Sequence, residues 1–355
     1  MQRHALIFLG LFLPLMAVIG LAQSAPDLLA QAEAKKHHGD FNGAIADYTQ
    51  ALAADPKNVN AYLGRASVYS LEGNYAGAIK DDTRALVLDP KNPVAYSNRG
   101  NARMMQGDLH AALADYTQAI KLDPHHVRAF INRGNIKNLQ KNYGAALEDY
   151  SAAIALDPKS AVAFYNRAGA KRSLGDYEGA RADYSQAIAL NPVDVEAYID
   201  LAVLEMARKN WDAATTDLKK CLDILPSERQ AYPRTYLWVI GVKQGEADKA
   251  TRDLTHAANA DLKTFSGTWG WEIAKFLVGQ VDERTFLSAA ITSQAKENKG
   301  QKAKALYFAG LKRALAGDKA GAAQFFQQCL TMGNPMLHEY TLAREELRPA
   351  GGTTQ

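Results

Sequence analysis

The chain is poor in cysteine, has little charge imbalance, and carries only one long apolar run. Its two thiols, Cys221 and Cys329, are far apart in the 355 residues, so no disulfide scaffold organises it. Its 41 basic and 38 acidic side chains leave a formal charge of +3. That near balance argues against a dedicated nucleic-acid binder, whose basic charge would gather on one face. No glycine-rich phosphate loop, nucleophile elbow or zinc-protease helix occurs. The eight histidines are scattered, or paired at His37-His38 and His125-His126, without the Cys or carboxylate spacing of a four-ligand metal site. The expectation is therefore a chain that is not an enzyme and uses no metal or cofactor.

The single long apolar run lies at the start. Arg3 and His4 precede an apolar stretch from Ala5 to Ala22, interrupted by Pro14 and followed by Ala22-Gln23-Ser24-Ala25. A basic start, an apolar middle and small residues at the end read as a secretory signal over residues 1–24, cleaved after Ser24. The alternative is an uncleaved anchor, since the run is barely shorter than a minimal membrane span. No cysteine lies near the site, so a new N-terminus could not be acylated there.

Beyond this segment the chain is periodic. Pro56, Pro90, Pro124, Pro158, Pro192 and Pro226 recur every 34 residues, which is a repeat signature. With the proline as position 32, units begin at Ala25, Val59, Pro93, Val127, Ala161 and Val195. Position 4 is a ring in Tyr62, Tyr96, Phe130, Phe164 and Tyr198, and position 8 is small in Ala66, Gly100, Gly134, Ala168 and Ala202. Position 20 is alanine in all six units, and position 27 is alanine until Cys221. Position 24 is tyrosine at residues 48, 116, 150 and 184; Asp82 departs from this pattern, which implies an open seam or an internal ion pair.

Gly39, Gly73, Gly107 and Gly175 end the first helix of their units, with Asn142 and Asn210 read as glycine's replacements in the other two. The prolines end the second helix. Each helix pair buries one face internally and another against its neighbours, so stacking supplies stability.

This pattern resembles the tetratricopeptide repeat (TPR) family throughout residues 25–228. The resemblance implies an all-α, right-handed superhelical solenoid of antiparallel helix pairs. It also implies a protein or extended peptide as partner, bound along the concave face at positions 2, 5, 9 and 12.

Residues 229–348 read as divergent units and a capping helix. Gly245, Ala250, Leu254 and Ala257 restore the pattern from Ala231, and Gly310, Gly317, Ala322, Phe326 and Cys329 restore it from Ala303. Between them a helix is expected near Trp269–Val278 and another from Glu283 to Lys296. A last helix spans Met336 to Leu347, and residues 349–355 are an expected disordered tail. Cys221 and Cys329 fall at small core positions of different units, which makes them inert thiols rather than a disulfide.

The run from Trp269 to Gly279, Tyr307 to Leu311 with Leu315 to Asp318, and His338-Glu339-Tyr340 resemble the NlpI-type Gram-negative envelope TPR lipoproteins over residues 231–347. That resemblance implies a periplasmic adaptor for cell-wall hydrolases or a protease, and a homodimer.

Two charged rows recur. Arg65, Arg99, Arg133 and Arg167 hold position 7, and Asp47, Asp81, Asp115 and Asp149 hold position 23. Each arginine follows an aspartate of the preceding unit by 18 residues, which predicts a structural ladder of ion pairs between repeats. Leu201 ends the arginine row. The expected peptide groove is lined by Asn101, Arg128, Asn135, Asn138, Tyr165 and Arg172, where polar side chains vary while core positions repeat. The expected function is a non-catalytic periplasmic scaffold, membrane-associated if the signal stays. The alternatives are a small-molecule or glycan carrier, with a pocket near Trp269 and Trp271, or an assembly factor of an envelope complex.

Overall fold

The computed structural model describes residues 24–261, 268–291 and 295–348. The signal segment before Ser24 and the tail from 349 lie outside them. The regular region forms six helix pairs: α1 (Ala25–His37) with α2 (Phe41–Ala54), α3 (Val59–Leu71) with α4 (Tyr75–Leu88), α5 (Pro93–Met105) with α6 (Leu109–Leu122), α7 (Val127–Leu139) with α8 (Tyr143–Leu156), α9 (Ala161–Leu174) with α10 (Tyr177–Leu190), and α11 (Val195–Ala207) with α12 (Trp211–Ile224). After a short 3-10 turn come α13 (Ala231–Lys243), α14 (Ala247–Asp261), α15 (Trp269–Leu277), α16 (Glu283–Ala289), α17 (Ala295–Leu315), α18 (Lys319–Thr331) and α19 (His338–Glu346). No strand occurs among the described residues. The architecture is an all-α solenoid of helix pairs. It falls into two compact units, one ending at Pro124 and the other beginning at His125.

Short polar side chains start the helices. Asp40, Asn74, Asp108 and Asp176 each accept a backbone N–H three residues on, at 2.9–3.0 Å, at the head of a second helix. Asn58, Asn92 and Asp194 do the same for first helices at 3.0–3.2 Å. Each such cap satisfies an otherwise orphaned donor, worth about 1 kcal/mol.

The first helices end in the left-handed region, with φ of 76° at Gly73 and 85° at Gly107. In the two units without glycine, the residues that take this conformation are Lys141 and Lys209, both at φ 61°. Asn142 and Asn210, read as the replacements, instead sit at the N-caps of α8 and α12. A lysine there carries strain of roughly 1 kcal/mol that glycine avoids.

The alanines at positions 20 and 27 have no solvent exposure. Tyr116 and Tyr150 lie against Gly100 and Gly134, where an added Cβ would come within 2.9 Å of the ring. Small position 8 and large position 24 are thus one packing decision. Asp82, in the ring's place, is neither at an open seam nor paired. It is fully buried and both carboxylate oxygens lack a partner.

In the C-terminal part, α16 stops at Ala289 rather than running on to Lys296, and a separate 21-residue helix starts at Ala295. The last helix is shorter than expected, His338–Glu346. Cys221 and Cys329 are free and buried, and burial pushes both thiols up to about 12. At that value they stay protonated and unreactive at neutral pH.

Candidate functional site

The arginine row pairs forward, not backward. Arg65 reaches Asp81 through Nε at 2.7 Å and Nη2 at 3.0 Å, two helices of one pair closed by a bidentate fork. Arg99–Asp115, Arg133–Asp149 and Arg167–Asp183 repeat this geometry at 2.6–3.0 Å. The expected inter-repeat carboxylate is replaced by a hydroxyl of the preceding pair: Arg65 Nη1 donates to Thr49 at 2.9 Å and Arg167 Nη1 to Ser151 at 3.2 Å. Asp47 takes Lys35 instead, at 2.7 Å. Each guanidinium also lies over the position-4 ring, 5.5 Å from the centroid in Tyr96 and Phe164. The row is consumed by the fold.

A second cation at position 11 completes most of these clusters: Arg103 on Asp115, Lys137 on Asp149 and Lys171 on Asp183, at 2.7–2.8 Å. Burial alone would raise the Asp183 carboxyl, yet Arg167 and Lys171 hold it below its ordinary value.

In the sixth pair position 7 is Leu201 and position 11 is Glu205, so both cations are gone. Asp217 there is pushed up to about 6, by burial first and by Glu205 second. A folded value above the unfolded one means that the folded chain holds this proton more tightly, so stability falls as pH rises from about 4 to 6. Asp217→Asn should remove about 1–2 kcal/mol of that fall, read from denaturation midpoints at pH 4.5 and 7.

The candidate groove residues divide by unit. Asn101, in the first, accepts a hydrogen bond from Tyr116 Oη at 2.6 Å. In the second, Asn135 accepts from Tyr150 Oη at 2.8 Å and from Asn166 at 3.0 Å. Position 9 thus fastens the tip of the position-24 tyrosine, and Glu33 does the same for Tyr48. Arg128 is exposed at the start of α7.

Of the other three, Arg172 and Asn138 meet the chain's own C-terminal segment, and Tyr165 meets Asp200, which that segment also reaches through His338. Arg172 is 4% exposed, with Nη1 on Asp200 at 2.6 Å and Nη2 on the Met336 carbonyl at 2.8 Å. Tyr165 donates to the other Asp200 oxygen at 2.8 Å, and His338 Nε2 lies 2.7 Å from Asp200 Oδ1. Asn138 Nδ2 faces Met336 Sδ at 3.9 Å, Ser173 Oγ lies 3.2 Å from that sulfur, and Lys141 donates to the Gly333 carbonyl at 2.9 Å.

Burial alone would raise the Asp200 carboxyl, but Arg172 and His338 hold it well below the usual range. A buried guanidinium needs such a counter-charge to stay in place. Residues 333–338 thus meet Asn138 of α7 and Arg172 and Ser173 of α9, while α19, whose Glu339, Leu342 and Ala343 are buried, packs on α11; Leu139 of α7 and Val162 of α9 stay exposed. Asp200 had a faint signal in the repeat, standing at position 6 where three other units have asparagine; Met336 and His338 had none.

The first unit shows no such covering segment among its described residues. Leu71, Val94 and Met105 stand 59%, 49% and 58% exposed. They occupy positions 13, 2 and 13 of their units, and eleven residues are close to three full turns, so positions 2 and 13 share the helix face of position 9.

Trp269 lines a cavity of about 370 Å³ with Tyr232, Glu196 and Ile199, whereas Trp271 is 3% exposed in the core. Among the described residues no His, Cys, Asp or Glu group is arranged to hold a metal ion, and no helix is long and apolar enough to cross a membrane.

The tetratricopeptide repeat family matches residues 29–93 and 98–161, and a TPR repeat family matches residues 168–205. No curated protein matches the chain. Among solved structures it is similar to a tetratricopeptide repeat protein from Parabacteroides merdae ATCC 43184, at 23% identity and TM-score 0.51 over 72% of this chain and 98% of that one. It is also similar to the pilF protein of Pseudomonas aeruginosa, at 19% identity and TM-score 0.52 over 57% of this chain and 92% of that one. PilW, described as a type IV pilus biogenesis factor, has 22% identity and TM-score 0.51, over 55% and 91% respectively. These likenesses show the fold. With their 34-residue period, their capped helix pairs and these matches, residues 29–205 are a run of TPR repeats, and the helix-pair fold continues beyond them.

Proposed function

We propose that this chain is a non-catalytic scaffold that captures a protein partner on the inner helix face of its first unit. The observation that carries this is the exposure of Leu71, Val94 and Met105 along one face of α3 and α5, where, unlike at Arg172 and Ser173 in the second unit, no segment of the chain like residues 333–338 lies alongside among the described residues; Leu139 and Val162 at the matching positions of α7 and α9 are equally exposed. An extended segment with apolar side chains suits that stripe, and neighbouring Asn60, also exposed, offers an amide to its backbone. The scaffold is exported to the periplasm of a Gram-negative bacterium and serves a cell-wall hydrolase or a periplasmic protease there. That part rests on the basic-then-apolar start and on the likeness of residues 231–347 to envelope adaptors, as does a homodimer.

Capture from a Gram-negative envelope extract tests the reading. Wild-type protein should retain a hydrolase or protease, and the Leu71→Ser, Met105→Ser double variant should lose at least tenfold of it with an unchanged helical signal. Surface changes of this kind move stability by only about 0.5 kcal/mol each. Equal retention by the variant, or retention of soluble glycan alone, would sink the proposal. The mass of the mature chain reports export, and a start at Ala25 is expected. Such a cut also removes Ser24, whose Oγ caps α1 by accepting the Asp27 N–H at 3.3 Å.

A further inference from the structure

The seventh helix pair breaks the packing rule of the other pairs. Its position 8 is Trp238, where the six regular pairs have glycine or alanine, and its position 24 is Leu254. The indole is 4% exposed and donates to Thr251 Oγ1 at 3.1 Å. A large side chain at the point where the second helix normally closes on the first wedges the two apart. They still meet at Gly241, where an added Cβ would lie 2.7 Å from the Ala250 Cβ. Elsewhere α13 and α14 pack more loosely than the regular pairs. A cavity of about 550 Å³ opens between α12, α13 and α14. That volume is in the range of small-molecule sites.

The lining is asymmetric. Trp238, Leu237, Ile240 and Leu254 give an apolar wall. At the Gly241 end, Lys249 pairs with Glu246 at 2.9 Å and senses Asp253 four residues on, so that end carries an excess of negative charge. At the other end stand Lys219, Arg234 and His256. Arg234 spends one nitrogen on Gln230, at 2.7 Å, while its buried Nε has no partner. Lys219 makes no ion pair among the described residues.

We propose that this cleft binds a carboxylate carried on an apolar body, the carboxylate on Arg234 and Lys219 and the body along Trp238 and Leu254. The source is either a free amphipathic carboxylate or the C-terminal residue of a peptide. A guanidinium holds a carboxylate by charge-assisted hydrogen bonds, and Arg234 spends only one terminal nitrogen within the chain, on Gln230. The site lies in the second unit and does not depend on partner capture by the first.

Titration calorimetry on the full chain with octanoate, octanol, and a leucine-ending tripeptide as free acid and as amide tests the proposal. Saturable one-to-one binding of octanoate, of the peptide acid, or of both is expected, and the responding probe identifies the source. Octanol and the amide should bind at least tenfold more weakly. Arg234→Gln should weaken the responding acid about tenfold or more, and Lys219→Gln, at an exposed position, should weaken it severalfold with an unchanged melting temperature. No saturation by either acid would overturn the inference. So would equal affinity for acid and neutral probe, or full affinity in both variants.

Discussion

Asp82→Leu should stabilise the first unit by roughly 3–5 kcal/mol at pH 7.5 and abolish most of its pH dependence between about 4 and 8. The wild-type carboxylate is buried without a hydrogen bond. It is pushed up to about 8, by burial first and by neighbouring Asp81 second, with Arg99 only partly offsetting them. In the unfolded chain the same group ionises near its ordinary value of 3.8. Across that window the folded form keeps a proton that the unfolded form has released, so wild-type stability falls as pH rises from about 4 to 8. Leucine has nothing to protonate and fills more of the ring's space. Asp82→Tyr is a second arm: position 8 of this unit is Ala66, and alanine already faces the tyrosine at Ala32/Tyr48 and Ala168/Tyr184. Urea denaturation at pH 4.5 and 8, monitored by circular dichroism, measures both. A wild type equally stable at the two pH values would show that Asp82 finds a partner or water and ionises freely.

The repeat was legible because its core positions answer to one packing geometry. Alanine at positions 20 and 27 and the proline at 32 mean the same thing in every unit, so their spacing alone places twelve helices. Positions whose meaning depends on a partner far away in sequence were not legible. Asn101 and Asn135 look like an exposed amide row, yet they fasten Tyr116 and Tyr150, fifteen residues on. The arginines were legible as ion-pairing but not in direction, because the aspartates at 18 residues before and 16 after are equivalent by count. Geometry selects the latter. The left-handed position falls one residue before the asparagine in the two units without glycine. Asparagine is the better turn former on propensity, but the chain uses it as a cap and leaves the strained turn to lysine. Least legible was the closing of the second unit's inner face. Gly333 to His338 shares no period with the helices it meets, and its contacts span 102 to 198 residues.

That closure makes Asp200 the other position of large effect. Asp200→Asn should cost about 3–5 kcal/mol and release residues 333–338 to proteolysis, because Arg172 would stay buried without a counter-charge. Three donors converge on this carboxylate, from Tyr165, Arg172 and His338, and two of them tie the C-terminal segment down. Its depressed folded value gives the opposite sign to Asp82. The stabilisation is present above the ordinary carboxylate range and is lost as pH falls through and below it.

A substitution of Arg172 would likewise act first on folding, so loss of a partner in such a variant says little about peptide contact. The double variant Asp200→Asn, Arg172→Met separates the explanations: with no charge left stranded, it should recover a good part of the lost stability. The Met336 carbonyl would still be without its donor, so residues 333–338 should stay protease-sensitive. If the single variant melts like the wild type and resists limited proteolysis, the Asp200 cluster is not what holds the segment. The apolar contacts of Leu342 and Ala343 on α19 would then be sufficient.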